Sequence, residues 1–366
     1  MLNRFNFDRP LLFATLLLAF SGLLIFGSAA LGVLATNEAK FYSIIKSQFI
    51  FALFGGSIAL FIGIVINPLI FKKYAIHILL FTLLLTVFVF VPGFSVYHGG
   101  AHRWIDIGPL SVQPSELIKF SFVSFMAYWV SAYRKYFSNY VFGLLGYVIP
   151  LSLITILLLL QPDFGTYLVI FCSSFIVYFV GGATRKHVAI LLGVAMTGFI
   201  ILILARPYML ERVKTFFDTT HDPSGSSWQL NQSLISLGSG GLIGQGYGQS
   251  VQKFNFLPEP IGDSIFAVLG EEFGFLGTSA LLFLLLFILL RGIYIALSIE
   301  DIYLRLLSIG IVTILFTQSF LNIGSIIRLL PLTGLPLPLV SQGGTSFVIT
   351  LFMLGVLIGI SRYKKK

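Results

Sequence analysis

The stretch LPEPIGDSIFAVLGEEF, Leu257 to Phe273, places three carboxylates at the mouth of an apolar segment. Pro258 and Pro260 fix an extended approach. Asp263 stands at the N-terminal entrance of the segment, and Glu271 and Glu272 lie about two helical turns further in, on adjacent faces. An acid at such an entrance has two uses. It can cap the helix by accepting from the first backbone N–H groups, or it can take a proton from a hydroxyl and make a weak nucleophile competent. Carboxylates inside an apolar helix are functional candidates by default, because an unpaired charge there is strongly disfavoured.

Three further clusters could share that chemistry. In HRWIDIGPLSVQPSELIKF, His102 to Phe120, Pro114 suits the first turn of a helix. Glu116 and Lys119 are three apart and share one face, either as a structural ion pair or as a charged floor for a polar substrate. Arg103, Gln113 and Ser115 flank them as candidates for the same floor. In QPDFGT, Asp163 either caps the next helix or adds an acid to the site. The polar segment 206–262 holds Trp228, Gln229, Gln232 and Ser233, suited to sugar or amide contacts, with Lys253 and a run of glycines beyond them. Its length favours a functional loop over a merely flexible one. No strand precedes its glycines, so they do not read as a dinucleotide site. Finally, RLLPLTGLPLPLVSQGGTSF, with Ser341, Gly343 and Gly344, cannot form a regular helix, and irregular backbone near membrane depth must be buried or line a cavity.

These residues are carried by a chain of 366 residues, 57% hydrophobic and 10% charged, with a mean hydropathy of +0.96. Soluble domains carry about 25% charged residues. Apolar runs over 11–34, 47–66, 75–91, 114–133, 141–160, 164–180, 188–205, 264–290, 306–327 and 346–360 predict about ten transmembrane helices. The expected fold is all-α: a polytopic integral membrane protein in one domain over 1–366, with 206–262 as a long extracytoplasmic loop. The first run exceeds the ~7–15 apolar residues of a signal peptide and reads as a retained span. A single cysteine, Cys172, excludes an intrachain disulfide and a thiolate metal cluster. HGGAH, His98 to His102, has the spacing of a zinc pair, but its glycines argue against the helix such a pair needs.

The net charge of +9 reflects topology rather than nucleic-acid binding. With both termini in the cytoplasm, the basic pairs Lys72 and Lys73, Arg134 and Lys135, and Arg185 and Lys186 all fall inside. Of the acids, only Asp8, Glu300 and Asp301 do so. Span centres are almost free of charge, whereas an ion-coupled transporter keeps ionisable groups near the midplane.

In order and spacing, RWIDIGPLSVQPSELIK, QPDFGT, WQLNQSLISLGSGGLIGQGYGQSVQKFNFLPEPIGDSIFAVLGEEFGFLG and LPLTGLPLPLVSQGGTSF resemble the SEDS family, the FtsW/RodA/SpoVE type of peptidoglycan glycosyltransferase, over nearly the whole chain. GQSVQKFNFLPEP looks more like the FtsW division branch, while GLPLP is shared with RodA. Two departures are visible: Ser264 follows Asp263 where the family often has Phe, and Gln342 stands where it often has Tyr. The resemblance implies a bacterial cytoplasmic-membrane enzyme that polymerises lipid II into β-1,4 glycan strands at the outer face. Asp263 would be the catalytic aspartate, acting as the base, with Lys119 its cationic partner and Glu116 a nearby acid, while Glu271 and Glu272 organise the cavity beneath. It implies a class B penicillin-binding transpeptidase and other divisome or elongasome membrane proteins as partners. It names no certain cofactor and leaves a divalent cation such as Mg2+ open. Two other classes compete: a lipid II flippase, which predicts charges spanning the bilayer, and a non-catalytic scaffold, which leaves Glu116, Lys119 and Asp263 without a task.

Overall fold

The computed structural model describes residues 7–365 apart from 92, 94, 99–100, 108–109, 138 and 219–224. Helix α1 (Arg9–Leu34) starts where Asp8 accepts from Leu11 N and Pro10 occupies the first turn. Next comes a continuous helical rod over Glu38–Val65. It consists of α2 (Glu38–Ile50), a π-turn (Phe51–Gly56) and α3 (Ser57–Val65). The short α4 (Leu69–Lys73) leads into α5 (Ala75–Phe88). The described chain is helical almost throughout, as expected, with one small exception. Strands β1 (Ser95–His98), β2 (Ala101–Ile107) and β3 (Leu110–Val112) form a small antiparallel sheet in the order β1-β2-β3. Residues 99–100 of HGGAH lie outside the described residues.

Helix α6 (Pro114–Tyr133) follows the sheet and is enclosed by α5, α8 and α13. Ile118, Phe122, Val123, Met126, Ala127 and Val130 on α6 are fully buried. Around this centre run α7 (Gly146–Leu160), α8 (Phe164–Val180) and α9 (Arg185–Ala205); α9 buries little beyond His187 and Leu191. The segment expected to be a loop, 206–262, contains two helices, α10 (Pro207–Phe217) and α11 (Ser226–Ser239). The chain continues through α12 (Ile265–Leu297), α13 (Ile302–Ile326) and α14 (Gly344–Ile360). Among the described residues seven helices are long and apolar enough to cross a membrane, and Ala75–Phe88 and Phe164–Val180 are shorter apolar helices.

Helix α12 is broken at Gly274, where φ is 63° and ψ −160°. The break frees backbone groups, and the glycine-rich segment after α11 satisfies them. Phe275 N donates to Gly241 O (2.9 Å) and Leu276 N to Leu242 O (3.0 Å), while Gln245 N and Gly246 N donate to Glu271 O and Glu272 O (2.9 and 3.0 Å). A Cβ on Gly240 or Gly244 would strike the Gly270 or Glu272 carbonyl. These glycines therefore serve close packing.

Candidate active site

Asp263 lies just before Ser264, the N-cap residue of α12, and that cap has no side-chain hydrogen bond. The capping role open to Asp263 from sequence is thus not the one it plays. Its Oδ1 accepts from Gln229 Nε2 of α11 (3.0 Å) and from Ser264 Oγ (3.4 Å). Burial among these groups pushes the carboxyl up to about 6. The Glu259 charge pushes the same way; the Arg212 charge and the bonds from Gln229 and Ser264 oppose it.

A cavity of about 620 Å³ opens beside Asp263. It gathers residues far apart in sequence: Arg103 from β2, Gln113 and Glu116 at the start of α6, Asp163 before α8, Glu259 and Asp263. Its wall is completed by Gly334, Leu335 and Pro336 and by Gln342 to Ser346. Arg103 is fastened there by donating to Gln161 O (2.9 Å) and Pro162 O (2.6 Å). Asp163 does both things the sequence allowed. It caps α8 through Thr166 N (3.2 Å), and its other oxygen meets Ser115 Oγ (3.3 Å) and Gln113 Nε2 (3.5 Å) at the cavity.

Lys119 is bound differently from the expectation. Its ammonium meets Glu116 Oε2 at 2.6 Å and donates to Gln318 Oε1 at 2.7 Å, with no salt bridge to Asp263. The physical reason is local: Glu116 lies one turn away on the same face of α6 and reaches the ammonium first. Glu271, Glu272 and Lys253 are likewise absent from the cavity wall. They form a separate buried cluster. Lys253 Nζ pairs with Glu272 Oε1 (2.6 Å), which also accepts from Ser28 Oγ (2.6 Å). Glu271 accepts from Ser250 Oγ (2.6 Å), Ser236 Oγ (2.8 Å) and Val251 N (2.9 Å).

The remaining candidates hold the frame. Trp228 Nε1 donates to Phe256 O (2.9 Å), Gln232 is buried on α11, and Ser341 Oγ accepts from Leu337 N (2.8 Å) to close a turn. Gly343 N donates to Gln48 Oε1 (3.2 Å), and Gly344 lies against the Phe51 ring where a side chain would not fit. Both glycines line the cavity. Among the described residues no group of three or more His, Cys, Asp or Glu is placed to hold a metal ion. Sequence reasoning missed Arg212, Gln318 and Asn322. The two amides had a readable signal: they stand four apart within an otherwise apolar span.

Residues 9–366 match the cell cycle protein family of FtsW, RodA and SpoVE. The chain belongs to this family. It is 36% identical to stage V sporulation protein E of Bacillus subtilis over 98% of both chains. It is 34% identical to a Geobacter metallireducens protein named "Probable peptidoglycan glycosyltransferase FtsW", over 97% of this chain and 94% of that one. Solved relatives share the fold. A chain of a peptidoglycan synthase complex that coordinates polymerization and crosslinking superposes with a TM-score of 0.80 at 27% identity, covering 99% of this chain and 100% of its own. The rod shape determining protein RodA of Thermus thermophilus gives 0.70 at 26% identity, with 99% of each chain covered. As a family member the chain carries Asp263, Glu116, Lys119 and Asp163 within the motifs that mark the resemblance.

Proposed function

We propose that the chain is a peptidoglycan glycosyltransferase that polymerises lipid II into β-1,4 glycan strands at the outer face of the bacterial cytoplasmic membrane, in division or elongation. The observation that carries the reading is the place of Asp263: of the four carboxylates on the cavity wall, Glu116, Asp163, Glu259 and Asp263, it is the one at the mouth of α12 beside Arg212, and burial raises it to about 6. In this reading the 4-hydroxyl of an acceptor GlcNAc enters the cavity and gives its proton to Asp263 as its oxygen bonds to the anomeric carbon of a donor MurNAc. The bond from that carbon to the lipid pyrophosphate breaks, and the pyrophosphate leaves with the electron pair. A carboxyl near 6 is mostly ionised at neutral pH and is a stronger base than an ordinary aspartate. Arg103 on the wall and Arg212 beside Asp263 supply positive charge to the departing phosphate. Asp163 and Gln113 supply acceptors and donors to sugar hydroxyls.

The arrangement in the membrane follows from the same reading. Ten spans, both termini in the cytoplasm and 206–262 outside put the cavity where an exported lipid-linked disaccharide is found. The chain's cross-linking partner would be a class B penicillin-binding transpeptidase; the solved relative in a synthase complex supports this pairing. The test is polymerisation of purified lipid II by the purified full chain, alone and with that partner. Wild type should make glycan, and Asp263→Asn should lose about 10²–10⁴-fold in rate while still folding. Near-normal polymerisation by a well-folded Asp263→Asn protein would sink the assignment.

A further inference from the structure

Gln318 and Asn322 stand about one turn apart on α13, and both are buried. An amide donor inside a membrane span must find its acceptor within the protein, so the carbonyls that the two side chains meet define their task. Gln318 Oε1 accepts from Lys119 Nζ (2.7 Å), and its Nε2 donates to Pro336 O (2.9 Å). Asn322 Nδ2 donates to both Asp263 O (2.8 Å) and Leu335 O (2.7 Å). Neither amide lines the cavity, yet Asp263, Leu335 and Pro336 do, and Lys119 backs Glu116, which does too. The segments they hold have no regular structure of their own: Asp263 lies in a turn and Leu335 and Pro336 in irregular chain. Helix α13 is part of the packed centre, against α6, α8 and α12.

We propose that Gln318 and Asn322 are positioning residues for the transfer, fixing the Asp263 turn, the Leu335–Pro336 wall and the Glu116–Lys119 pair in one register on α13. The proposal rests on the reading of Asp263 as general base. A base works only within hydrogen-bond reach of the proton it takes, and a misplacement of about 1 Å can cost about 100-fold in rate. The two bonds donated by Asn322 tie the Asp263 backbone to the Leu335–Pro336 wall. Those of Gln318 fix the same wall against α6.

The experiment compares lipid II polymerisation by wild type, Asn322→Leu, Asn322→Ser, Gln318→Met and Asp263→Asn, each as the purified full chain with its folded fraction measured by thermal unfolding. Per folded molecule, Asn322→Leu should lose about 30–100-fold in kcat with KM within about threefold of wild type. Asn322→Ser keeps one donor and should fall between. Releasing the turn moves the carboxylate relative to Arg212 and Glu259, so the acid limb of the surviving activity should shift by more than about half a pH unit. A kcat within about threefold of wild type overturns the proposal. So does a lower kcat with the acid limb unmoved, the result expected if the amides merely support the fold. Should Asn322→Leu not fold, Asn322→Ser and Gln318→Met are measured in the same way, and the same two results overturn the proposal. An active Asp263→Asn protein defeats the general-base reading itself; an inactive one beside a near-normal Asn322→Leu defeats only the positioning.

Discussion

Asp263 is set between opposing influences, and the arginine among them is the one most open to test. Burial and Glu259 hold the proton on; Arg212 and two hydrogen bonds draw it off, leaving the carboxyl at about 6. If the ionised form is the base, kcat/KM is full above that value and falls as pH drops through it. Removing the Arg212 charge lets the opposing influences win further, so the folded pKa rises. In Arg212→Met the acid limb should therefore move to higher pH, toward neutrality, while Arg212→Lys should keep it close to the wild-type position. Arg212 also donates to Leu332 O (2.6 Å), so a drop in kcat alone is uninformative and the position of the limb is the quantity to measure. A limb that stays near 6 or moves to lower pH in Arg212→Met rules out this electrostatic role. The sequence showed Asp263 because a charge stands out at the edge of an apolar run. It did not show Arg212, which sits among Glu211 and Lys214 on a mixed-charge helix where nothing in the spacing marks it.

Elements bring these residues together through the broken helix α12. Its first part carries Glu271 and Glu272, which hold the 250–253 segment against it, and α11 above supplies Gln229 to Asp263. The Lys253–Glu272 pair is almost wholly removed from solvent, with side chains 0% and 1% exposed. Lys253→Met would strand a buried carboxylate and should destabilise the protein by about 3–5 kcal/mol, read as a lower Tm in detergent. Lys253→Met combined with Glu272→Gln removes both charges and should recover most of that loss. A single variant as stable as wild type, or a double variant no better than the single, contradicts the clamp. Helix positions were largely legible here, because long apolar runs bounded by Pro10, Pro114 and the capping acids Asp8 and Asp163 announce themselves. Helix α11 was not, since SSWQLNQSLISLGS is polar and runs straight into a glycine-rich stretch and so reads as loop. Nor was the sheet, whose strands of 3–7 residues lie below any periodicity signal. Contacts between elements, such as Lys119 with Gln318, leave no trace in spacing at all.

Along the whole molecule the charges separate to two ends. Helix α1, 26 residues and so about 39 Å long, runs from one to the other. At its start Asp8 is held by Arg291 (2.9 Å) and by Lys364, joining the first helix, α12 and the C-terminal residues. Toward its far end Ser28 meets Glu272, on the side where Lys253, the 250–253 segment and, at the mouth of α12, Asp263 are found. The proposed function requires the second end to face outward, because lipid II is polymerised only after export. Single cysteines in a Cys172→Ala background test this. Gln249 and Lys40 are exposed at the proposed outer end, and Lys135 and Glu300 are exposed at the inner one. A membrane-impermeant thiol reagent applied to intact spheroplasts should label Gln249→Cys and Lys40→Cys and spare Lys135→Cys and Glu300→Cys until the membrane is opened. The reverse pattern would place Asp263 on the cytoplasmic face, and extracytoplasmic glycan synthesis by this cavity could not survive that result. The labelling also bears on the charge count: basic pairs such as Arg134 and Lys135 set orientation, whereas acids contribute little to it. An outward Asp263 together with an inward Lys135 would therefore mean that the acids gather at the outer end for chemistry and not for topology.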